Sequence, residues 1–269
     1  PKTWTIFDTV DLHHLRELRQ SEVEDDPVMR ANALEVQQRE LRLVDSTDVT
    51  IVVSTVEREI LQRNRPRARI RIVPTIHQIG AAGPGFESRS GIMFLAGFEH
   101  APNVDAAKWL VESIMPLVWE RIPDLRLTLV GSHPPPMIRQ HASARVEVTG
   151  WVPEIQPYLE RSRLSVAPLR FGAGVKGKIT QCLAAGLPTV ATELATEGMP
   201  IEAGRDIIVG EGSAGLARAI VGAYSDQGVW HRLAVSSRNA ASKHFSFDAA
   251  RQSVGDLLNE LSGRVEEET

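Results

Sequence analysis

Three glycines and two lysines stand between two apolar runs in RFGAGVKGKITQCLAAGLPTVAT, Arg170 to Thr192. Closely spaced glycines let backbone amides approach an anion, and lysine ammoniums supply point charges for phosphate oxygens. Upstream, LSVAP (Leu164 to Pro168) has strand character. Downstream, KITQCLAA sets Ile179, Cys182 and Leu183 on one helical face until Gly186 stops it and Pro188 follows. TVAT is then a new strand, so the unit is strand, glycine-rich loop, helix, strand. Lys176 and Lys178 sit at the positive end of that helix, at a cost of roughly 0.3 to 1 kcal/mol each that a bound anion would reverse. The alternative is a solvated loop whose lysines point to water.

Two phosphate-binding patterns overlap here. Gly172, Gly174 and Gly177 spell G-x-G-x-x-G, and Glu193 stands about twenty residues on, where a dinucleotide-binding fold keeps its ribose-binding acid. The same residues spell G-x-x-x-x-G-K, but Ile179 replaces the hydroxyl that would hold magnesium, so this P-loop match is weaker. For the dinucleotide reading the run from Gly177 to the next strand is slightly short and the loop comes late in the chain. Both readings share a ribose diphosphate.

The elements that must position this loop alternate along the chain. TWTIF reads as a strand, Ala31 to Val44 as an amphipathic helix, VTIVVS (Val49 to Ser54) as a strand, TVEREILQR as a helix capped by Ser54, and ARIRIV (Ala68 to Val73) as a strand. IGAAGPGFESRSG (Ile79 to Gly91) is the linker candidate. A second series runs GIMFLAG (strand), DAAKWLVESIMPLVWERI (helix), LRLTLVG and ARVEVTG (strands), EIQPYLERS (helix), LSVAPL (strand), the loop and helix above, TVAT and RDIIVG (strands). Helices SAGLARAIVGAYS, QGVWHRLAVSSRNAAS and SFDAARQSVGDLLNELSG close it. Strands alternating with helices mean a mostly parallel sheet covered on both faces, with ligands at the carboxyl ends of its strands.

Composition bounds the rest. The 269 residues are 42% hydrophobic and 24% charged, enough for one large or two small domains with a real core. A net charge of -4 gives no global basic field for nucleic acid. The single cysteine, Cys182, excludes an internal disulfide and reads as an inert core thiol in a reducing compartment. No apolar run is long enough to span a membrane, and no signal peptide is visible. The chain opens on Pro1 and runs straight into a strand-like segment, which reads as a piece of a longer polypeptide.

In order and spacing, LAGFEHAPNVDAAKWL, LTLVGSHPP, VTGWVPEIQPYLERSRLSVAPLRFGAGVKGKITQCLAAGLPTVAT and LATEGM resemble the C-terminal domain of GT-B glycosyltransferases of the large family 4 (group 1) type. APLRFGAGVKGKI is the most specific part, and FDTVDLHHLRELR is similar to the last part of the acceptor-side domain in the same proteins. The resemblance implies an α/β fold of GT-B type, a Rossmann-like parallel sheet with helices on both faces. It also implies residues 1–78 as the end of the acceptor-side domain, 79–91 as linker, 92–246 as the nucleotide-sugar domain, and 247–269 as a helix packing back on the first domain.

What the resemblance implies for chemistry is transfer of a sugar, with retained configuration, from a nucleoside-diphosphate sugar to a saccharide or lipid-linked acceptor, as in surface polysaccharide biosynthesis. No cofactor and no metal are implied, the nucleotide sugar being the donor substrate. The setting is cytoplasmic, with peripheral membrane contact open. Gly97 and Gly131, after the first two strands of this domain, would face the donor; Gly172, Gly174, Lys176 and Lys178 would hold the diphosphate; and Arg170 would add charge. The Gly150 to Pro153 turn, Val152 included, would hold the base. His13 would reach the sugar from the acceptor side, giving His13, Arg170 and Lys178 as catalytic candidates; the alternative is that His13 and His14 are surface residues.

Departures stand beside these matches. The first loop reads GFEHAPN, without the Arg and Lys common there, and Ala173 and Gln181 occupy the places of two glutamates. Gln181 can still bond a ribose, and Glu193 and Glu197 can compensate, or Glu197 can tie down its own loop. An NAD(P)-binding oxidoreductase domain and an inactive nucleotide-sugar-binding module remain the alternatives. Elsewhere structural readings lead: Asn103 or Asp105 caps the helix carrying Trp109, Leu110 and Ile114. Trp151 either packs or reaches the cleft, SEVEDDP (Ser21 to Pro27) is a surface loop, and the arginines at 63, 65, 67, 69 and 71 line a solvated edge or an anionic-surface patch.

Overall fold

A computed structural model describes residues 3–267 of the chain. Among the described residues nine strands form two all-parallel sheets. The first contains β1 (Ile6–Asp8), β2 (Val49–Val52) and β3 (Ile70–Ile72), in that order, with α1 (His13–Glu24), α2 (Pro27–Ser46) and α3 (Thr55–Asn64) between them. The second begins with β4 (Ile92–Leu95), followed by α4 (Ala101–Trp109), which passes through a π turn (Leu110–Ile114) into α5 (Met115–Trp119). Then come β5 (Leu127–Val130), α6 (Pro136–Arg139), β6 (Val146–Gly150), α7 (Gln156–Arg161), β7 (Leu164–Ala167) and α8 (Gly177–Ala184). The series closes with β8 (Thr189–Ala191), α9 (Glu193–Thr196), β9 (Ile208–Val209), α10 (Gly212–Ser225), α11 (Gln227–His244) and α12 (Phe247–Glu267).

The order of the second sheet, β6-β5-β4-β7-β8-β9, positions the site. From β4 the chain builds outward through β5 and β6, then returns to lay β7 on β4's other side. The connections after β4 and β7 therefore leave on opposite faces, and the crevice between them is where parallel sheets receive ligands. IMFL, LTLV and LSVA occupy central positions, with every residue buried except the half-buried Leu95 and only Thr128 and Ser165 polar among them. Side-chain alternation splits β4 between two cores: Ile92 and Phe94 join the cluster under α5 and α10, while Met93 and Leu95 pack with Leu159 of α7 and Cys182 of α8.

Several boundaries differ from the sequence reading for local reasons. Thr3 to Thr5 lie outside the ladder, and β1 starts at Ile6. SEVEDDP is not a loop: α1 runs to Glu24, Asp25 turns the chain at φ 52°, and Asp26 caps α2 by accepting from the amides of Val28 and Met29. Asn103 and Asp105 do not cap α4, which begins at Ala101 with Pro102 in its first turn. Ser54 does cap α3, accepting from the Glu57 amide at 3.2 Å. Of the arginine run, Arg65 pairs with Asp45, Arg71 forks onto Glu260, and Arg69 lies over the Trp4 ring, so most of its charge is spent inside the fold. Leu257 and Leu261 of α12 pack with Val49 of β2, which brings the C-terminal helix onto the first sheet.

Candidate functional site

The loop from β7 to α8 turns back on itself through Gly172 (φ 143°) and Gly174 (φ 67°), conformations that favour glycine. No side chain caps the start of α8. Lys176 is buried, and its ammonium donates to the carbonyls of Ala173 (2.7 Å) and Gly174 (2.6 Å). Lys178 is the second residue of the helix, against the Phe94 ring at 5.0 Å, and donates to the side-chain oxygen of Asn103. Neither lysine forms an ion pair with a carboxylate among the described residues. Burial, and then the neighbouring charge of Arg19, pushes the Lys176 amine down to about 8; burial, and then Lys176, pushes Lys178 down to about 7. A buried ammonium and a half-buried one beside it, both held by neutral oxygens, make a site that an arriving anion stabilises.

Asn103 belongs to this site and was missed as a cap. One end of its amide accepts from Lys178 and the other donates to the Gly97 carbonyl at 2.7 Å, joining the loop after β4 to the helix after β7 across the switch point. The visible signal was an asparagine directly behind Ala101-Pro102, since proline fixes the helix start and leaves Asn103 inside it. Gly131 follows β5 at φ 149°, where a β-carbon would fall 1.5 Å from the Ala96 carbonyl oxygen. Gly97 and Gly131 thus close over the same end of the sheet.

Arg170 departs from expectation. It is partly exposed and forks onto Asp105 of α4, with its Nε at 2.9 Å, and it stacks near Trp109. That bond raises its pKa, and its charge is already spent on a carboxylate. Glu193 is exposed at the start of α9, while Glu197 reaches Arg19 of α1 rather than its own loop. Gly150 (φ 72°) ends edge strand β6 and Val152 follows it, three strand positions from β7, about 14 Å at ordinary spacing. Trp151, beside them, is 71% exposed, which rules out the packing reading. Gln181 faces a polar cavity of about 300 Å³ shared with His77, Gln78 and Gln156. Cys182 is buried, donates to Ser165, and has its thiol pushed up to about 11 by burial.

The opposite wall comes from the first sheet. A β-carbon on Gly174 would lie 2.9 Å from Cβ of Asp11, and one on Gly198 would lie 2.7 Å from Cβ of Ser54. The loops after β1 and β2 therefore press directly on the glycine loop and on the end of α9. Above them His13 opens α1 half exposed, with Nδ1 3.5 Å from both Asp11 and Glu40. His14 turns inward to bond Glu40 and is not a surface residue. Leu12 cannot cap α1 itself, so Glu57 accepts from the Leu12 amide (3.0 Å) and Glu40 from the His13 amide (2.8 Å). No group of His, Cys, Asp and Glu with metal-ligand geometry occurs among the described residues. No helix among them is long and apolar enough to cross a membrane.

Comparison with known proteins adds a family match and several structural likenesses. A family model described as "Glycosyl transferases group 1" matches residues 89–226. Sucrose-phosphate synthase from Thermosynechococcus elongatus superposes with a TM-score of 0.75 at 17% identity, over 96% of this chain and 68% of that one. Anabaena HepE, solved in complex with UDP, gives 0.72 at 14% identity, over 95% and 72%. TarM from S. aureus, a point mutant in complex with fondaparinux, alpha-GlcNAc-glycerol and UDP, gives 0.71 at 14% identity, over 84% of this chain. The chain spans about half of TarM, 46% of its length. These likenesses show the GT-B fold. No curated protein matches the chain.

Proposed function

The chain belongs to the group 1 glycosyl transferases, and from that premise we propose that its six-stranded half binds the diphosphate of a nucleoside-diphosphate sugar, with UDP as the nucleotide. The observation that carries this reading is the pair Lys176 and Lys178: one buried and one half-buried, both lowered in pKa, without carboxylate ion pairs among the described residues, and set at a glycine loop on the sheet's switch point. Family membership removes the ground for the oxidoreductase alternative. UDP is taken as the nucleotide because TarM and HepE were solved with it.

In this reading the lysines exchange carbonyl and amide oxygens for phosphate oxygens. As the bond from sugar to phosphate breaks, negative charge grows on the departing UDP. Lys176 and Lys178 stabilise it with donors already in place, which lowers the barrier more than it tightens the ground state. Arg170 acts at second hand, by fixing the loop to α4. The turn from Gly150 through Val152 takes the base, Gln181 the ribose, and Glu193 the sugar side. His13, oriented by Asp11 and Glu40, faces the sugar from the acceptor half, residues 1–78. Transfer runs with retention to a saccharide or lipid-linked acceptor, in surface polysaccharide synthesis on the cytoplasmic side, with peripheral membrane contact.

The test is UDP release from UDP-glucose and UDP-N-acetylglucosamine, with Lys178→Ala as the comparison. Release that falls at least tenfold in the variant supports the assignment, on the magnitude found when one oxyanion donor is removed. Release that is unchanged in the variant contradicts it.

A further inference from the structure

Arg19 crosses from α1 of the first sheet to the glycine loop of the second. It donates to the Gly172 carbonyl at 2.7 Å and forks onto the Glu197 carboxylate at 2.7 and 2.8 Å. We propose that Arg19 is a third cation of the diphosphate site, supplied by the opposite half of the molecule, and that Glu197 occupies its guanidinium until a nucleoside diphosphate arrives. The inference rests on the donor-binding reading above and names a residue that the reading lacked.

Three observations carry it. Arg19 and Lys176 are clamped to three successive carbonyls, Arg19 to Gly172 and Lys176 to Ala173 and Gly174. Two like charges on one short turn repel, and Arg19 is among the groups that hold the Lys176 amine down. An anion between them would replace neutral acceptors with a charged one, and such bonds are about twice as strong.

Second, the other basic groups nearby are spent or missing. Arg170 is forked on Asp105, Arg16 is paired with Asp11, and the loop after β4 offers Phe98, Glu99 and His100. Third, the acids are unequal. Glu57 is fixed by the amides of Leu12 and Val53 and the Ser54 hydroxyl, whereas Glu197, a third exposed just past α9, is held by Arg19. Glu197 is therefore the exchangeable partner. A guanidinium forked on a carboxylate already presents the geometry that two phosphate oxygens require. Binding would then tie α1 to the glycine loop through the ligand.

The test uses the sign of two changes that break the same ion pair. UDP affinity and thermal stability are measured by calorimetry on the unaltered chain and on Arg19→Ala, Arg19→Lys and Glu197→Gln. Losing a charge-assisted contact predicts that Arg19→Ala binds UDP about tenfold more weakly, with Arg19→Lys between. Glu197→Gln removes the competitor and predicts tighter binding, although the ion pair is gone. If the pair is only a brace between the two halves, both single changes weaken UDP in the same direction and lower the melting temperature together, and the proposal is overturned. UDP affinity unchanged in Arg19→Ala overturns it as well. An unaltered chain that does not bind UDP instead overturns the donor reading on which it rests.

Discussion

Lys178 and Asn103, 75 residues apart, share a hydrogen bond that joins the helix after β7 to the one after β4. Because Asn103 also holds the Gly97 carbonyl, one amide fixes both the lysine's aim and the loop above it. Asn103→Ala is expected to weaken UDP binding about tenfold while the fold persists. Asn103→Asp should weaken it further, because a carboxylate in that place competes for the same ammonium. Calorimetric titration of both variants checks the order.

The lowered lysines make binding depend on pH. Lys176, at about 8, and Lys178, at about 7, lose their protons in the free protein over a range where UDP needs them charged. UDP raises both pKa values, so binding takes up protons, and affinity falls as pH rises from 7 to 9. The terminal phosphate of UDP, with a pKa of about 6, is already charged across that window. Titration in buffers of different ionisation enthalpy should show proton uptake near pH 8, and less of it in Lys178→Ala, which keeps Lys176.

The same shifts bear on stability. The unfolded chain, with ordinary lysines, binds more protons than the folded one above about pH 7, so this contribution rises with pH toward 10. Urea midpoints measured at pH 7 and pH 9 should move apart more in the unaltered chain than in the double variant.

Much of this was legible because local signals agreed. Continuous apolar runs marked the central strands, Gly186 ended α8 at φ 62°, and Ser54 capped α3. Helix ends were less legible where the partner came from afar. The start of α1 is satisfied by Glu40 and Glu57, 26 to 45 residues away, and nothing near Leu12 announces it. At the site, residue types pointed to the lysines, but the partners of Arg170, Glu197 and Asn103 depend on tertiary approach. Arg170 looked like free charge until Asp105 met it, and Asn103 looked like a cap until α4 began two residues earlier.

Two glycines with positive φ should differ sharply. Gly131→Ala would drive a β-carbon into the Ala96 carbonyl and should cost upward of about 3 kcal/mol or prevent folding. Gly150→Ala meets open space and carries only the left-handed penalty, about 1 to 2 kcal/mol. Chemical denaturation of the two variants separates steric from conformational demand.

The adjacent histidines should separate in the same way. His14→Ala breaks a buried bond to Glu40 and should cost about 3 kcal/mol. His13→Ala, at a half-exposed position, should change stability by less than about 0.5 kcal/mol, and its effect should appear in sugar transfer.

The most direct measurement is calorimetric titration of the chain with UDP, GDP and NAD, repeated on Lys176→Ala with Lys178→Ala. The account predicts that UDP binds, that it binds more tightly than GDP or NAD, and that the double variant loses this binding while its melting temperature holds. NAD binding that survives loss of both lysines, or UDP binding untouched by it, would contradict the account.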